Sequence, residues 1–416
     1  MAMRKQRIVI VGAGFAGLAA ATAISRRYAV TVVDPSAAFE WTPNIHEILS
    51  GTKSRRDVLL DSRALVENAG HRFLEDAVER LDVGARRVHT ATGAALEYDA
   101  CLLAPGGARA HGGIAGAAQH AVDFRHAGDA ALIEARLTAI AGRGGASSAS
   151  VVIIGGGVSG IEALGEILRS HRQQEGLTVH VVECEPELLP GLPAALAADI
   201  RARCAGLPVR WHTGEAVSRL TAKTVVLASG ERLPADLAIW SAGLTPPPFL
   251  AESGLIPGGR AGVNWVPVRD TLQSEASPAL FVAGDCAGLP EPLRKQAYHA
   301  LDMGAYAAWN LQHFLRSRPL KAFRPSHKPL LISLGDLDTY LVAGGTVLAS
   351  PLLAAAKEGV YQFYMTSLSL GLPAPRLAAG LVSRASNALR KQVLPEAFSC
   401  ASLARVRGSR IVSAAD

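Results

Sequence analysis

The chain has 416 residues, 49% hydrophobic and 19% charged, with a formal net charge of +6. This composition excludes disorder, suits buried α/β cores, and is long enough for two domains. No Lys/Arg run exceeds two residues and no basic segment is interleaved with aromatics, so nothing points to nucleic acid as a partner.

Arg7 to Gly17 reads R-I-V-I-V-G-A-G-F-A-G. The unbroken apolar run Ile8–Val11 predicts a buried parallel strand. Gly12, Gly14 and Gly17 then form G-x-G-x-x-G before an Ala/Leu-rich helix from Leu18 to about Ser25. The first glycine makes the tight turn, the second admits a pyrophosphate to the backbone, and the third lets helix and strand pack closely. Free N–H groups and the dipole at that helix N-terminus favour the phosphates. A second strand, Val30–Val33, ends at Asp34, the carboxylate expected to hold a ribose hydroxyl.

Residues 39–51 (F-E-W-T-P-N-I-H-E-I-L-S-G) are bracketed by Pro43 and Gly51. Trp41 and His46 there are either cofactor-side contacts or parts of a packed connection. Strands are predicted near Arg72–Phe73 and Val88–Thr90. Tyr98 to Gly107 reads as a strand and a glycine turn at Gly106, returning towards the nucleotide.

The small-residue connection Gly142–Ser150 leads into S-V-V-I-I-G-G-G-V-S-G-I-E, the first motif again, with Gly155, Gly157 and Gly160. A following strand, Val179–Val182, ends at Glu183, at a longer spacing than that from Gly12 to Asp34. One loop indicates a nucleotide; two indicate two nucleotides on two domains. A carboxylate at Glu183 accepts hydrogen bonds from a ribose 2′-OH and repels a 2′-phosphate, and no Lys or Arg follows it, so NADH is expected over NADPH.

Leu237–Gly243 reads as a strand ending in a turn, and Pro246–Pro248 mark the exit from the second domain. Ala279 to Ala287 (A-L-F-V-A-G-D-C-A) is a strand ending in Gly-Asp. Asp285 there either holds a polyol hydroxyl or caps a helix.

Cys101, Cys184, Cys204, Cys286 and Cys400 show no C-x-x-C spacing, so neither a redox pair nor a zinc site is expected and the set reads as reduced, cytosolic thiols. The N-terminal apolar segment is the glycine-loop strand, not a signal peptide. The uncharged stretches near residues 339–356 and 359–375 are interrupted by glycines and prolines, which argues against a spanning helix.

Residues 351–416 carry eight Lys/Arg and three Asp/Glu. Pro375–Leu394 is amphipathic, with Leu377, Leu381, Leu389 and Val393 on one face and Arg376, Arg384, Arg390 and Lys391 on the other. Such a basic amphipathic helix suits a membrane surface or a dimer contact.

Together G-A-G-F-A-G, G-G-G-V-S-G-I-E, A-I-W-S-A-G and F-V-A-G-D-C-A resemble the two-dinucleotide-binding-domain flavoproteins, most of all the type II NADH:quinone oxidoreductases, over about residues 7–345. The resemblance implies an α/β fold of two Rossmann-like domains, the second inserted in the first, followed by a C-terminal helical, amphipathic region. The implied limits are 1–125 and 263–345 for the FAD domain, 126–262 for the NADH domain, and 346–416 for the C-terminal region.

The same resemblance assigns Gly12, Gly14, Gly17, Asp34, Gly106 and Asp285 to FAD, and Gly155, Gly157, Gly160 and Glu183 to NADH. It gives Glu162 a role beside the nicotinamide–flavin stack; the alternative is a carboxylate placed in the first helical turn by the dipole. The family's quinone-site pattern A-Q-x-A-x-Q corresponds to Lys295–Ala300, where Gln296 matches and Ala300 replaces the second glutamine, with His299 adjacent. His299 either delivers a proton to the reduced acceptor or is a surface or core histidine of that helix.

The expected activity is hydride transfer from NADH through FAD to a quinone, in the cytoplasm or on the cytoplasmic face of a membrane. The alternatives are a soluble NADH-dependent reductase of an iron–sulfur protein or small biosynthetic substrate, and a redox-sensing flavoprotein with little turnover.

Overall fold

The structure is a computed structural model and describes residues 4–142, 148–257, 265–369 and 409–414. In chain order, β1 (Arg7–Val11) leads through the first glycine loop into α1 (Phe15–Ala23), followed by β2 (Ala29–Asp34), a 3₁₀ segment (Thr42–Ile48), β3 (Arg72–Glu75) and β4 (Ala100–Leu103). A second unit follows. It comprises β5 (Ala121–Asp123), α2 (Ala127–Ala141), β6 (Ala149–Ile154), α3 (Val158–His171), β7 (Leu177–Glu183), α4 (Ala194–Arg203), β8 (Val209–Thr213) and β9 (Leu237–Trp240). The chain returns with β10 (Leu280–Val282) and α5 (Ala297–Phe314), then β11 (Leu330–Leu334), β12 (Asp338–Ala343), β13 (Thr346–Ala349), α6 (Leu352–Ser369) and β14 (Arg410–Ser413).

Two five-stranded parallel sheets dominate. The first has the order β10-β4-β1-β2-β3 and the second β5-β9-β6-β7-β8. The second lies between β4 and β10 in sequence, so it is inserted within the first, as the resemblance implies. Their central strands are predominantly apolar and sealed on both faces: β6 is buried at every position, Ser150 included, and β1 at all but Arg7. Each sheet carries a three-stranded antiparallel appendage, Val78–Asp82 with Arg87–Thr90 and Ala95–Glu97 in one case, Val217–Thr221 with Thr224–Leu227 and Arg232–Pro234 in the other.

Small residues let the elements pack closely, within the first unit and between the second unit and the returning chain. Gly304 of α5 sits against α1, where an added Cβ would come within 2.1 Å of the Ala16 carbonyl oxygen. Gly165 of α3 meets the Leu334–Gly335 backbone at 2.3 Å in the same sense.

The Gly344–Gly345 pair, read from the sequence as interrupting an uncharged stretch, forms a hairpin turn. Gly344 has φ +63° and joins β12 to β13, with Tyr340 opposite Ala349. The antiparallel sheet β11-β12-β13-β14 thus has strands on both sides of residue 345. Its last strand is tied down by charge. Arg410 donates to Asp199 of α4 and to Asp338 at 2.5 Å, and Arg203 donates to Asp338 at 2.8 Å. The amphipathic segment Pro375–Leu394 lies outside the described residues. Among the described residues no helix is long and apolar enough to cross a membrane.

Candidate active site

The first glycine loop has the geometry its spacing predicts. Gly12 has φ +97°, and a Cβ there would meet the Ala104 carbonyl oxygen at 2.3 Å. A Cβ on Gly17 would fall 1.9 Å from the Gly12 carbonyl oxygen, whereas nothing lies within 4 Å of the Cβ position of Gly14. The loop is closed by Asp34, whose carboxylate accepts from the backbone N–H of Ala13 at 2.7 Å and of Ser36 at 2.9 Å. Burial raises the Asp34 pKa, and these two N–H groups oppose the rise.

This loop opens into a cavity of about 1010 Å³. Gly12, Gly14, Asp34, Gly106 and Asp285 all line it; Gly17 does not, because its task is the close helix–strand approach. Asp285 follows Gly284 (φ +78°), and the next helix begins only at Ala297, which removes the capping alternative. Burial raises the Asp285 carboxyl, while Arg125 and Lys295 pull it down. A cradle open at Gly14, a carboxylate on each side and the cations Arg125 and Lys295 beside them fit a dinucleotide cofactor with a pyrophosphate and polyol chain.

The second loop repeats the first closely. Gly155 has φ +110°, a Cβ on Gly160 would lie 1.9 Å from the Gly155 carbonyl oxygen, and nothing lies within 4 Å at Gly157. Glu183 accepts from the N–H of Gly156 at 2.7 Å and of Glu185 at 3.0 Å, the counterparts of Ala13 and Ser36. None of Gly155, Gly157, Gly160 or Glu183 lines the large cavity; the helix they open reaches it through Val158, Ser159 and Glu162.

Glu162 stands fifth in α3, past the first turn where the sequence reading puts it, so the dipole is not what holds it. Its Oε1 accepts from Lys357 Nζ at 2.5 Å and from the Ser333 N–H at 3.3 Å, and its Oε2 lies 3.7 Å from His46 Nδ1. Lys357 Nζ is 3.2 Å from His46 Nε2, and all three side chains line the cavity. Burial raises the Glu162 carboxyl, with Lys357 opposing it, and burial together with Lys357, Arg169 and Lys53 holds His46 neutral. A buried acid, base and ammonium in mutual contact form a proton-holding group.

Lys357 was not singled out from the sequence. It lies 195 residues from Glu162 and arrives on α6. A local signal did exist: Lys357, Tyr361, Tyr364 and Leu368 share a helical stripe, all buried, with one charge among apolar neighbours. Tyr364 packs at a tilt against Trp41, with ring centroids 5.2 Å apart, and against Tyr298 at 5.6 Å. Trp41 is wholly buried, with its Nε1–H donating to Asn44 Oδ1, and does not line the cavity, whereas His46 does. Arg125, also unremarked in the sequence, lines the wall; burial lowers its pKa, opposed by Asp285, Asp129 and Glu40.

Gln296 immediately precedes α5 and lines the cavity with Tyr298, Lys328 and Leu331. His299 does not; it is buried behind that wall, its Nδ1 without a hydrogen-bond partner among the described residues. Burial, aided by Lys328, pushes its pKa down to about 4, so the ring is neutral at pH 7 and holds no imidazolium proton to deliver. Among the described residues no cysteine lines the cavity. Cys286 is fully buried, its thiol pKa pushed up to about 12 by burial.

The family model for pyridine nucleotide-disulphide oxidoreductases matches residues 6–304. An NADH dehydrogenase-like protein of Mycobacterium tuberculosis is 29% identical over 361 residues, covering 81% of this chain and 88% of the relative. A type II NADH:quinone oxidoreductase of Haemophilus influenzae is 24% identical over 383 residues, covering 80% and 85%. The solved structure of NDH2 from Plasmodium falciparum, in complex with NADH, superposes with a TM-score of 0.80 at 16% identity, over 94% of this chain and 99% of that one. That last likeness is one of fold.

Proposed function

We propose that this chain, which belongs to the pyridine nucleotide-disulphide oxidoreductase family, is an FAD enzyme that oxidises NADH and reduces a quinone. The carrying observation is convergence. The first glycine loop lines one cavity, the helix opened by its metrical copy reaches the same cavity, and the wall combines Glu162 from that helix with Lys357 and Gln296 from elements beyond it. When bound, FAD supplies the redox chemistry, taking hydride from NADH and giving two electrons to the quinone.

The protein's own residues bind, align and hold protons. Gly12, Gly14 and Gly17 with Asp34 take the FAD pyrophosphate and ribose, Gly106 leaves room beside them, and Asp285 takes the polyol chain. Arg125 supplies a half-buried positive charge at the same wall. Gly155, Gly157, Gly160 and Glu183 take NADH; the carboxylates Glu185 and Glu187 beyond Glu183 reinforce the preference against a 2′-phosphate. The two loops fix donor and acceptor relative to each other, which makes transfer effectively intramolecular. Glu162, Lys357 and His46 hold the proton that accompanies reduction of the acceptor, and Gln296 orients the quinone head. His299 supports the Gln296 wall from behind.

The outward side of α6 offers Leu352 and Phe363 beside Ala354, Ala355, Ala356 and Gly359, with the polar Gln362 and Thr366 and the part-exposed Glu358 among them. In the proposal this side rests peripherally on the cytoplasmic face of a membrane, where a lipid-soluble quinone enters next to Lys357 and Val360. A dimer contact at that helix is the competing outcome, read from sedimentation with and without vesicles.

The decisive test is anaerobic. NADH should bleach the yellow protein, and a menaquinone or ubiquinone analogue should restore the colour. NADH oxidation no faster with quinone than without it would remove the quinone from the proposal.

A further inference from the structure

Reduction of a quinone to a quinol consumes two electrons and two protons. NADH gives up two electrons and one proton as hydride, so each turnover draws one further proton from solvent. The group that would hold it is nearly closed to water: Glu162 is 8% exposed. One helical turn further along α3, Glu166 is 0% exposed, a second buried carboxylate that the reaction described so far does not use.

Its two oxygens face different surroundings. Oε2 accepts from the Ser50 hydroxyl, which lies 2.8 Å from the Thr52 hydroxyl, and Thr52 is exposed. Arg169 stands beside this line, with Nε 3.4 Å from Glu166 Oε2 and Nη1 donating to Thr52 Oγ1 at 3.0 Å. Oε1 is buried and has no hydrogen-bond partner among the described residues. A buried carboxylate oxygen left without a partner is costly, and a polar recess of this kind is where a bound water belongs.

The charged groups around Glu166 come from three directions: Arg169 and Glu162 on its own helix, Glu47 with His46 and Lys53 on the segment that carries Ser50, and Lys357 on α6. Burial raises the Glu166 carboxyl, opposed by Ser50 and Arg169, which lowers the cost of its protonated form.

We propose that Thr52, Ser50 and Glu166 form the entry line along which the solvent proton reaches the Glu162–Lys357–His46 group. The inference rests on the quinone-reductase reading and adds its proton source. Thr52 takes a proton from water and passes its own to Ser50, and Ser50 passes its own to Glu166 Oε2. Rotation of the carboxyl about its terminal torsion, which is broad for an sp³–sp² bond, presents the proton on the inner side, where a water carries it to Glu162. No electrons move, and the net change is one proton taken from solvent and delivered to the quinone. Glu166 acts through Glu162 and is a positioning and relay residue, not one that touches the reacting atoms.

The experiment separates the two half-reactions by anaerobic stopped flow on the full chain, in H₂O and D₂O, for the native protein, Glu166→Gln, Ser50→Ala and Ser50→Thr. Glutamine keeps the Ser50 hydrogen bond but carries no exchangeable acid. Flavin bleaching by NADH should stay within about twofold of native in all three, whereas reoxidation by a short-chain quinone should slow by about tenfold or more in Glu166→Gln and Ser50→Ala, with a larger solvent isotope effect. Ser50→Thr restores the hydroxyl and should restore the rate. A reduced-minus-oxidised infrared spectrum should contain a protonated-carboxyl band that Glu166→Gln lacks.

Native reoxidation rates with an unchanged isotope effect in both Glu166→Gln and Ser50→Ala would overturn the relay while leaving the quinone reading intact. A native protein that quinone does not reoxidise would instead defeat that reading, and the infrared band would still decide whether Glu166 changes protonation. If Glu166→Gln does not fold, judged by its thermal midpoint, the two Ser50 variants decide the question.

Discussion

The two glycine loops are the same device in two charge environments. In each, the third glycine sits 1.9 Å, at its virtual Cβ, from the carbonyl oxygen of the first, and the strand-end acid accepts a 2.7 Å hydrogen bond from the residue after the first glycine. The first loop faces a cavity of about 1010 Å³ containing Arg125 and Lys295, and its acid is buried enough to have a raised pKa. The second leads into Glu183, Glu185 and Glu187, and its glycines do not line that cavity. Identical backbone geometry therefore specifies "dinucleotide" and nothing more. Retention of a resident cofactor against exchange of a dissociable substrate is set by what surrounds the loop.

The most severe way to break the comparison is to fill both loops. Gly17→Val places side-chain atoms against the Gly12 backbone and should yield a colourless protein that has lost FAD and is destabilised by about 1–3 kcal/mol or more, read from the absorbance spectrum and denaturant midpoint. Gly160→Val produces the same collision in the second copy; the protein should stay yellow while flavin reduction at a fixed NADH concentration falls on the order of 10²-fold. Loss of colour in the second variant would show that the loops are not separable.

Lys357→Met tests the wall that both loops serve. It strands the Glu162 carboxylate in a buried site, a change that costs about 3–5 kcal/mol unless the group takes up a proton. Quinone reoxidation at pH 7 should slow more than NADH-driven bleaching does, and the thermal midpoint should fall.

Acid sharpens the contrast next. Neutral His299 in the first unit and His180 in the second both have pKa values near 4, lowered by burial. Below an unfolded value of about 6.5 the unfolded chain binds more protons than the native one, so stability is fully present above pH 6.5 and is lost as pH falls towards 4, by at most about 1.4 kcal/mol per unit for each ring. Buried carboxyls with raised pKa, such as Asp34, act in the opposite sense, losing stability as pH rises through their window. His299→Leu should flatten the acid side of the stability profile measured by urea unfolding.

Specificity and the C-terminal clasp give the smallest effects. Glu183→Ser removes the charge opposing a 2′-phosphate and should narrow the NADH-to-NADPH preference in kcat/KM by about tenfold, equivalent to roughly 1.4 kcal/mol. Arg410→Ala leaves Arg203 on Asp338, so it should cost about 1 kcal/mol and leave both half-reactions unchanged.

The sequence resolves what is local. Strand, glycines, helix and strand-end acid occupy short contiguous stretches, and their periodicity and turn chemistry are complete within about thirty residues. Asp285 was legible because a Gly-Asp turn ends a strand. Lys357 was not, since its meaning arises only when α6 folds back beside Glu162. The antiparallel sheet was missed for a related reason: the Gly344–Gly345 turn was read as a break, and its outer strand, Arg410–Ser413, is recruited by Asp199 and Asp338 from distant elements. His299 was singled out for its residue type and its place in a motif, neither of which reveals that it is buried without lining the cavity.

The contact between Glu162 and Lys357 has one more consequence. The acid belongs to the helix opened by the second glycine loop and the ammonium to α6, so under the proposed function a single ion pair stands between the two substrates. A compound that binds the acceptor end by drawing Lys357 away must alter the affinity for NADH, and thermodynamic reciprocity requires saturating NADH to alter the compound's affinity by the same factor. Inhibitors of this protein should therefore be ranked at stated nucleotide occupancy, because their potency is a property of the pair.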